Sequence, residues 1–287
     1  MIERTAAGVD YLALVTELLQ RSRVADPTGG IWEAADLQWW WRRDQHPHAG
    51  RQHFWSEDGT AVAAVVLTDW GSRFGCEVLA AGLDSEAVVA LVWPRLAGLL
   101  DRLDPAPVEM TILEDDAVVL DAASAVGFAP TAEVAVETWM DAGRRPAVPD
   151  LPPGFTLRAR SDLPARPHPM IARNGEQVAD RLAECSLYRA DLDLAIYDPD
   201  GEVAAYGLFW ADPITGVGLV EPMRTEDRHQ RRGLGRVLLT AGLERLAGRG
   251  CTRLKVSYIV GNEAARRLYL GAGFAPRSSS RTYRRNA

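Results

Sequence analysis

Lysine is almost absent from this chain of 287 residues. Of its 32 basic residues only Lys255 is a lysine. That bias reads first as codon usage and only second as function. Cysteine is scarce too. Cys76, Cys185 and Cys251 are scattered and odd in number. This argues against a disulfide framework or a zinc site, so no metal is expected, and it suits a reducing cytoplasm. No apolar run approaches the roughly 18 residues that cross a bilayer. The opening MIERTAAGVD lacks a basic stretch followed by an apolar one. The expectation is a cytoplasmic protein with no membrane partner. What is present is ordinary for a globular chain, 47% hydrophobic and 25% charged residues. The length suits two domains of about 140 residues each.

The net charge of −7 conceals an asymmetry. Up to Gly143 there are 9 arginines against 23 acidic residues, a balance of −14, which leaves +7 for the remainder. Eight of the nine tryptophans also lie before residue 140. A basic half suits an anionic ligand and an acidic half a cationic one, or the opposite charges help the halves dock. Trp39, Trp40 and Trp41 are adjacent, so on a helix they point about 100° apart. They cannot share one face. They read as packing between the domains or as part of a site for a cation or a sugar-like amine.

The tetrapeptide GFAP occurs at Gly127–Pro130 and again at Gly273–Pro276, 146 residues apart. The same offset lays the strand-like RLKVSYIV on PVEMTILE. It lays LGRVLLTAGLERLAGRG on VVALVWPRLAGLLDRLD, and NEAARRLYLGAGFAP on DAVVLDAASAVGFAP. A strand and two helices keep register with the tetrapeptide, which points to a duplicated domain rather than a solenoid repeat. AGRRPAVPDLPPG is rich in proline and reads as a linker. The expected domains are 1–143 and 154–287, joined by 144–153. In the second, FTLRAR, DLDLAIYD, EVAAYGLFWAD, TGVGLVEPMRT and RLKVSYIV read as strands, with turns at Asp200-Gly201 and Thr215-Gly216. The fold class is α/β, each domain a mixed sheet with helices.

The informative stretch is EPMRTEDRHQRRGLGRVLL. A strand ends near Thr225, a polar loop follows, and Gln230, Arg231, Arg232, Gly233, Leu234 and Gly235 open a helix. Leu234, Val237, Leu238 and Ala241 give that helix its apolar spacing. Unpaired N–H groups at a helix start attract phosphate, and glycine lets phosphate approach the backbone. Arg228, Arg231, Arg232 and Arg236 add positive charge. The Walker Lys-Ser/Thr and a third glycine are both missing, so the two commonest nucleotide loops are excluded. An arginine cluster can also be plain surface or a nucleic-acid patch; no nucleic-acid partner is expected here.

A second motif lies downstream, Asn262-x-x-Ala265-x-x-Leu268-Tyr269-x-x-x-Gly273-Phe274. The pair of motifs resembles the GNAT acetyltransferase superfamily, over most of residues 154–287 and, degenerately, over the first half. The resemblance implies two tandem domains, each a mixed, mostly antiparallel sheet flanked by helices. It implies acetyl-CoA as donor and an amine as acceptor. Gln230, Arg231, Arg232, Gly233, Leu234, Gly235 and Arg236 become the pyrophosphate loop. Met223, Arg224 and Thr225 become the strand edge along which pantetheine lies, with an N–H of Met223 or Thr225 polarising the thioester carbonyl. Proline in a strand forces an edge or a bulge, and Pro222 fits a fourth strand that must splay from the fifth. Asn262 faces the pantetheine arm, caps its helix, or does both.

Tyr269 is the implied general acid for the departing thiolate. Glu221 is the candidate general base, with a water as the alternative. His229 reads as a phosphate or solvent contact, and Cys251 as packing. Without gaps, Gln230, Gly233, Gly235, Asn262 and Tyr269 fall on Asp84, Ala87, Val89, Asp116 and Ala123. The first domain is therefore expected to lack the CoA loop, with an acid where pyrophosphate would sit. The function expected is acetyl-CoA-dependent N-acetylation of a primary amine of a small molecule, by direct attack. The alternatives are a protein N-terminus or lysine as acceptor, and a non-catalytic acyl-CoA-binding regulator. Thiol-cofactor biosynthetic enzymes occur among tandem GNAT proteins, a fold-level likeness that no residue here singles out. A homodimer is left open.

Overall fold

The two halves build the same succession of strands, in a computed structural model that describes residues 1–42, 52–103 and 106–286. The first half runs β1 (Ile2–Ala6), α1 (Gly8–Ala25), α2 (Ala34–Trp40), β2 (Gln52–Glu57), β3 (Thr60–Asp69), β4 (Phe74–Ala80), α3 (Ser85–Leu100), β5 (Val108–Leu113), α4 (Ala117–Ala125) and β6 (Ala129–Asp141). The second runs β7 (Thr156–Ala159), α5 (Ile171–Asn174), α6 (Val178–Ala183), β8 (Asp193–Tyr197), β9 (Val203–Ala211), β10 (Val217–Thr225), α7 (Leu234–Gly248), β11 (Arg253–Ile259), α8 (Glu263–Gly271) and β12 (Ala275–Arg285). All five strand stretches read from the second half are present. Of the stretch matched to α7, Asp104 lies outside the described residues. The early helices differ most between the halves. Where α1 has 18 residues, α5 has four. Pro164, Pro167 and Pro169 precede α5, and proline cannot continue a helix.

The chain forms two compact units, Met1–Val136 with Ser278–Ala287, and Glu137–Arg277. Each unit takes in the end of the other half's last strand. In the first, β1 to β5 follow in sequence order and β12 adds antiparallel to β5, from Ser280↔Leu113 to Arg285↔Val108. Arg281 pairs with Glu114 at 2.7 Å and Arg285 with Asp101 at 2.9 Å. The basic tail is thus matched to acids of the first half, which answers part of the charge asymmetry. In the second unit β6 lies beside β11, and Thr138 Oγ1 donates to the Val256 carbonyl at 2.5 Å. Buried Lys255 lies 3.7 Å from Glu137 there.

The GFAP repeat does the same job twice. Gly127 and Gly273 have φ of 90° and 104°, a region that costs glycine little. The N–H of Phe128 then reaches back to the Ala123 carbonyl at 3.1 Å, and that of Phe274 to the Tyr269 carbonyl at 3.2 Å. This stops each helix with its last carbonyls satisfied. Both phenylalanines are buried and a strand begins at the next residue.

The three adjacent tryptophans separate as helix geometry requires. Trp39 is buried under Arg42, whose guanidinium carbon sits 3.6 Å from the ring centroid. Trp40 meets Trp32 and Trp70 edge-on at 4.7 and 5.8 Å, and Trp41 packs on Tyr11 at 6.3 Å.

A buried acid sits on β4. Glu77 Oε2 accepts from Trp32 Nε1 at 3.1 Å and from the Thr111 N–H at 3.4 Å. Burial pushes its carboxyl from 4.5 to about 8 against those hydrogen bonds. An acid whose folded pKa is raised holds its proton after the unfolded chain has lost it. Its contribution to stability is complete below about pH 4.5 and declines as pH rises to about 8. Glu77→Gln keeps the shape of the neutral acid. It is expected to flatten the fall of Tm across that window, where the wild type loses at most about 1.4 kcal/mol per pH unit. Thermal melts of both proteins at pH 5 to pH 8.5 check this; parallel curves would refute the assignment.

Candidate active site

The site is built where β10 leaves β11. The two strands run parallel and in register only from Val217↔Arg253 to Leu219↔Lys255. Beyond Leu219 they part. β10 stays with β9, pairing Val220 with Phe209 and then Met223 with Gly207, so one extra residue bulges from β10 at Glu221 and Pro222. The peptide between those two is cis. The bulge that Pro222 foretold is therefore present. Met223, Arg224 and Thr225 resume the ladder with Gly207, Tyr206 and Ala205 on one side only, and their other edge faces the gap left by β11.

The loop after β10 brings α7 to the same place. Gly233 caps α7 with φ 80°, and a Cβ there would meet nothing within 4 Å. Among the described residues, the N–H groups of Arg231, Arg232, Gly233, Leu234 and Gly235 have no acceptor. At Gly235 a Cβ would lie 3.3 Å from Thr225 Oγ1 and 3.6 Å from Leu268 Cδ2, so the end of β10, the start of α7 and α8 converge on that glycine. Leu234 is buried and anchors the helix. Arg231, Arg232 and Arg236 are exposed and have no carboxylate partner among the described residues. Open N–H groups, a bare glycine cap and three uncommitted guanidiniums fit a diphosphate.

Gln230 is exposed and ties the loop down, with Nε2 3.2 Å from Asp227 Oδ1 and 3.5 Å from the Thr225 carbonyl. Arg224 spends its guanidinium on Glu226 at 3.3 Å and Asp227 at 3.1 Å, which leaves its backbone as the part facing the gap. Asn262 caps α8, its Oδ1 accepting from the Ala265 N–H at 3.1 Å. His229 corrects the reading made from sequence. It is buried, edge-on to Phe155 at 5.8 Å, with Nε2 3.3 Å from Asp198 Oδ2 but off the hydrogen-bond direction. The turn that starts the loop folds this imidazole inward, away from solvent and against Phe155. Cys251 is buried, as packing requires.

Tyr269 and Glu221 come within electrostatic reach of each other. Tyr269 is buried on α8 against Phe274, ring centroids 6.4 Å apart. Burial, and then the charge of Glu221, push its hydroxyl well above the usual tyrosine range. Glu221 is half-buried. Sequence reading missed Trp210, whose Nε1 donates to the Glu221 carbonyl at 2.6 Å.

The corresponding place in the first unit is built differently. β4 and β5 also part early, after Gly75↔Glu109. But only four residues, 81–84, join β4 to α3, against eight, 226–233, between β10 and α7. Asp84 caps α3 and accepts from the Ala87 N–H at 2.8 Å. The ungapped match of Gly233 to Ala87 is thereby corrected. The two helix caps are Asp84 and Gly233, and the first half simply has fewer loop residues. Asp116 caps α4 and also takes the Ser85 hydroxyl at 2.7 Å, and buried Ala123 stands where α8 has Tyr269. A cavity of about 350 Å³ opens in this cleft beside Trp32, Val78, Ser85 and Asp116.

Residues 160–274 match the family model described as Acetyltransferase (GNAT) family. A mycothiol acetyltransferase of Tsukamurella paurometabola is 30% identical over 244 residues, 76% of this chain and 75% of that protein. One from a Nocardioides species is 28% identical over 296 residues, 93% of this chain and 94% of that protein. Among solved structures, a tandem GNAT protein from the clavulanic acid biosynthesis pathway superposes with a TM-score of 0.69 at 15% identity. It covers 99% of this chain and 98% of its own. At that identity the likeness shows the fold.

Proposed function

This chain belongs to the GNAT acetyltransferase family, and we propose that it transfers the acetyl group of acetyl-CoA to a primary amine of a small molecule. The observation that carries this is the joining of two features at one point. The open N–H groups of residues 231–235 meet the free edge of β10, and Glu221 and Tyr269 stand within electrostatic reach of each other. In this proposal residues 154–287 hold the donor. Residues 1–143, joined through 144–153, keep the fold without a phosphate loop, because Asp84 already caps α3. The relatives named mycothiol acetyltransferases favour a small-molecule acceptor over a protein N-terminus or lysine.

The roles follow from chemistry. The backbone N–H groups and arginines 231, 232 and 236 bind the diphosphate of the donor. An N–H of Met223 or Thr225 polarises the thioester carbonyl. An alkylammonium with a pKa near 10 must lose a proton before it can attack. Glu221 takes that proton, directly or through a water. The amine nitrogen bonds to the carbonyl carbon, the carbon–sulfur bond breaks, the sulfur leaves with a proton from Tyr269, and the further proton shed by the new amide nitrogen restores the tyrosine by way of solvent. The two groups are coupled in a useful order. While Glu221 is charged it opposes ionisation of Tyr269. Once Glu221 holds the amine's proton that opposition is gone, and the tyrosine becomes the better acid when the thiolate needs it.

Tyr269→Phe tests this. It is expected to lower kcat about 100-fold and leave the Kd for acetyl-CoA within about threefold, since the hydroxyl binds no part of the diphosphate. Free CoA released over a panel of amines is the readout. Unchanged turnover with every active amine would remove Tyr269 from the chemistry. Acetyl-CoA binding without turnover on any amine would favour the regulator.

A further inference from the structure

A strand with an extra residue leaves backbone groups outside its ladder, and a buried carbonyl left so needs a donor. At the β10 bulge that carbonyl belongs to Glu221, and the donor is the indole N–H of Trp210 at 2.6 Å. Trp210 is 1% exposed and stands on β9 opposite Leu219, two pairs before the bulge. Its ring is held from behind. Tyr188 meets it edge-on with centroids 6.3 Å apart. The Tyr188 hydroxyl donates to Asp193 Oδ2 at 2.8 Å, and His168 Nε2 meets the same oxygen at 2.8 Å. The Met170 N–H donates to His168 Nδ1 at 3.2 Å, so the ring proton sits on Nε2 and points at Asp193. His168 and Asp193 are both buried. A run of fixed contacts therefore leads from His168 through Asp193, Tyr188 and Trp210 to the backbone of Glu221.

We propose that Trp210 is a positioning residue. Its N–H fixes the bulged peptide and so aims the Glu221 carboxylate, while Tyr188, Asp193 and His168 keep the indole in place. This rests on the reading of Glu221 as general base. Any buried tryptophan seeks a partner for its N–H. What sets this one apart is that the partner is the main chain of the residue that must be aimed. The donor-binding segment is separate, because Met223 to Thr225 are back in register with β9.

The test is a cycle of Trp210→Phe, Glu221→Gln and the double variant. It reads kcat/KM for the amine, and acetyl-CoA Kd by calorimetry. Trp210→Phe is expected to cost about tenfold, the worth of one hydrogen bond. In the Glu221→Gln background it is expected to cost less than about twofold, because its route is gone. Acetyl-CoA affinity should stay within about threefold in both. An equal cost in both backgrounds, or no cost in either, overturns the clamp while leaving the base intact. If Glu221→Gln alone is silent, the base reading fails, and with it the route from Trp210 through that carboxylate. Should Trp210→Phe not fold, the benzothienyl analogue of tryptophan at position 210 removes only the N–H and keeps the ring volume. The same tenfold loss is expected of it, and full activity would overturn the proposal.

Discussion

Glu221→Gln is expected to lower kcat/KM for the amine by about 100- to 1000-fold, the range of a lost general base. The pH dependence is the sharper signature. Without the carboxylate the amine must arrive already neutral. Its neutral fraction rises tenfold per pH unit up to its own pKa near 10. The variant's residual rate should therefore climb with unit slope through the neutral range, while the wild type levels off earlier. Acetyl-CoA affinity should hardly move, because Glu221 precedes the segment that resumes the β9 ladder at Met223. Steady-state rates from pH 6 to pH 9.5 on one amine decide it. Wild-type and variant profiles of the same shape and height would assign proton removal to water.

Gly233→Asp should separate binding from stability. In the first half Asp84 caps α3, and in the second Gly233 caps α7 with no side chain. The substitution copies the first arrangement into the second. A capping aspartate gains only about a few tenths of a kcal/mol over glycine by accepting an N–H of the first turn. Leaving glycine at a φ of 80° costs more, of the order of 1 kcal/mol. Tm should fall by only a few degrees. The affinity for acetyl-CoA should fall by about 100-fold or more, since two like charges 4 Å apart repel by about 4 kcal/mol at an effective dielectric of 20. Calorimetry beside a thermal melt reads both. An unchanged Kd would mean that the diphosphate does not lie on this helix.

Much of this was legible in the sequence because it is carried by local rules. Pro222 announced the bulge, Gly233 and Gly235 the helix start, and Asn262 the cap of α8, each through chemistry that acts within a few residues. The GFAP stops were legible for the same reason. What escaped depends on partners far away in the chain. Nothing in β6 or β12 tells which fifth strand each will join, since both leave the same helix stop and both present a strand of similar length. The ungapped register also hid the shortened connection before α3, because sliding one helix by three residues, close to one turn, still lays apolar positions on apolar ones. Trp210 escaped because its role lies in where its N–H points. That it is the one tryptophan after residue 140 was the available signal. His229 was misplaced because its neighbours in sequence are exposed, whereas its neighbours in space are Phe155 and Asp198.

In the proposed function each chain holds one donor site, at the start of α7. Calorimetric titration of acetyl-CoA into the full chain, beside Gly233→Asp, tests this. One molecule bound per chain is expected, and no binding by the variant in the same range. Two molecules per chain, or a single site that the variant leaves intact, would refute it.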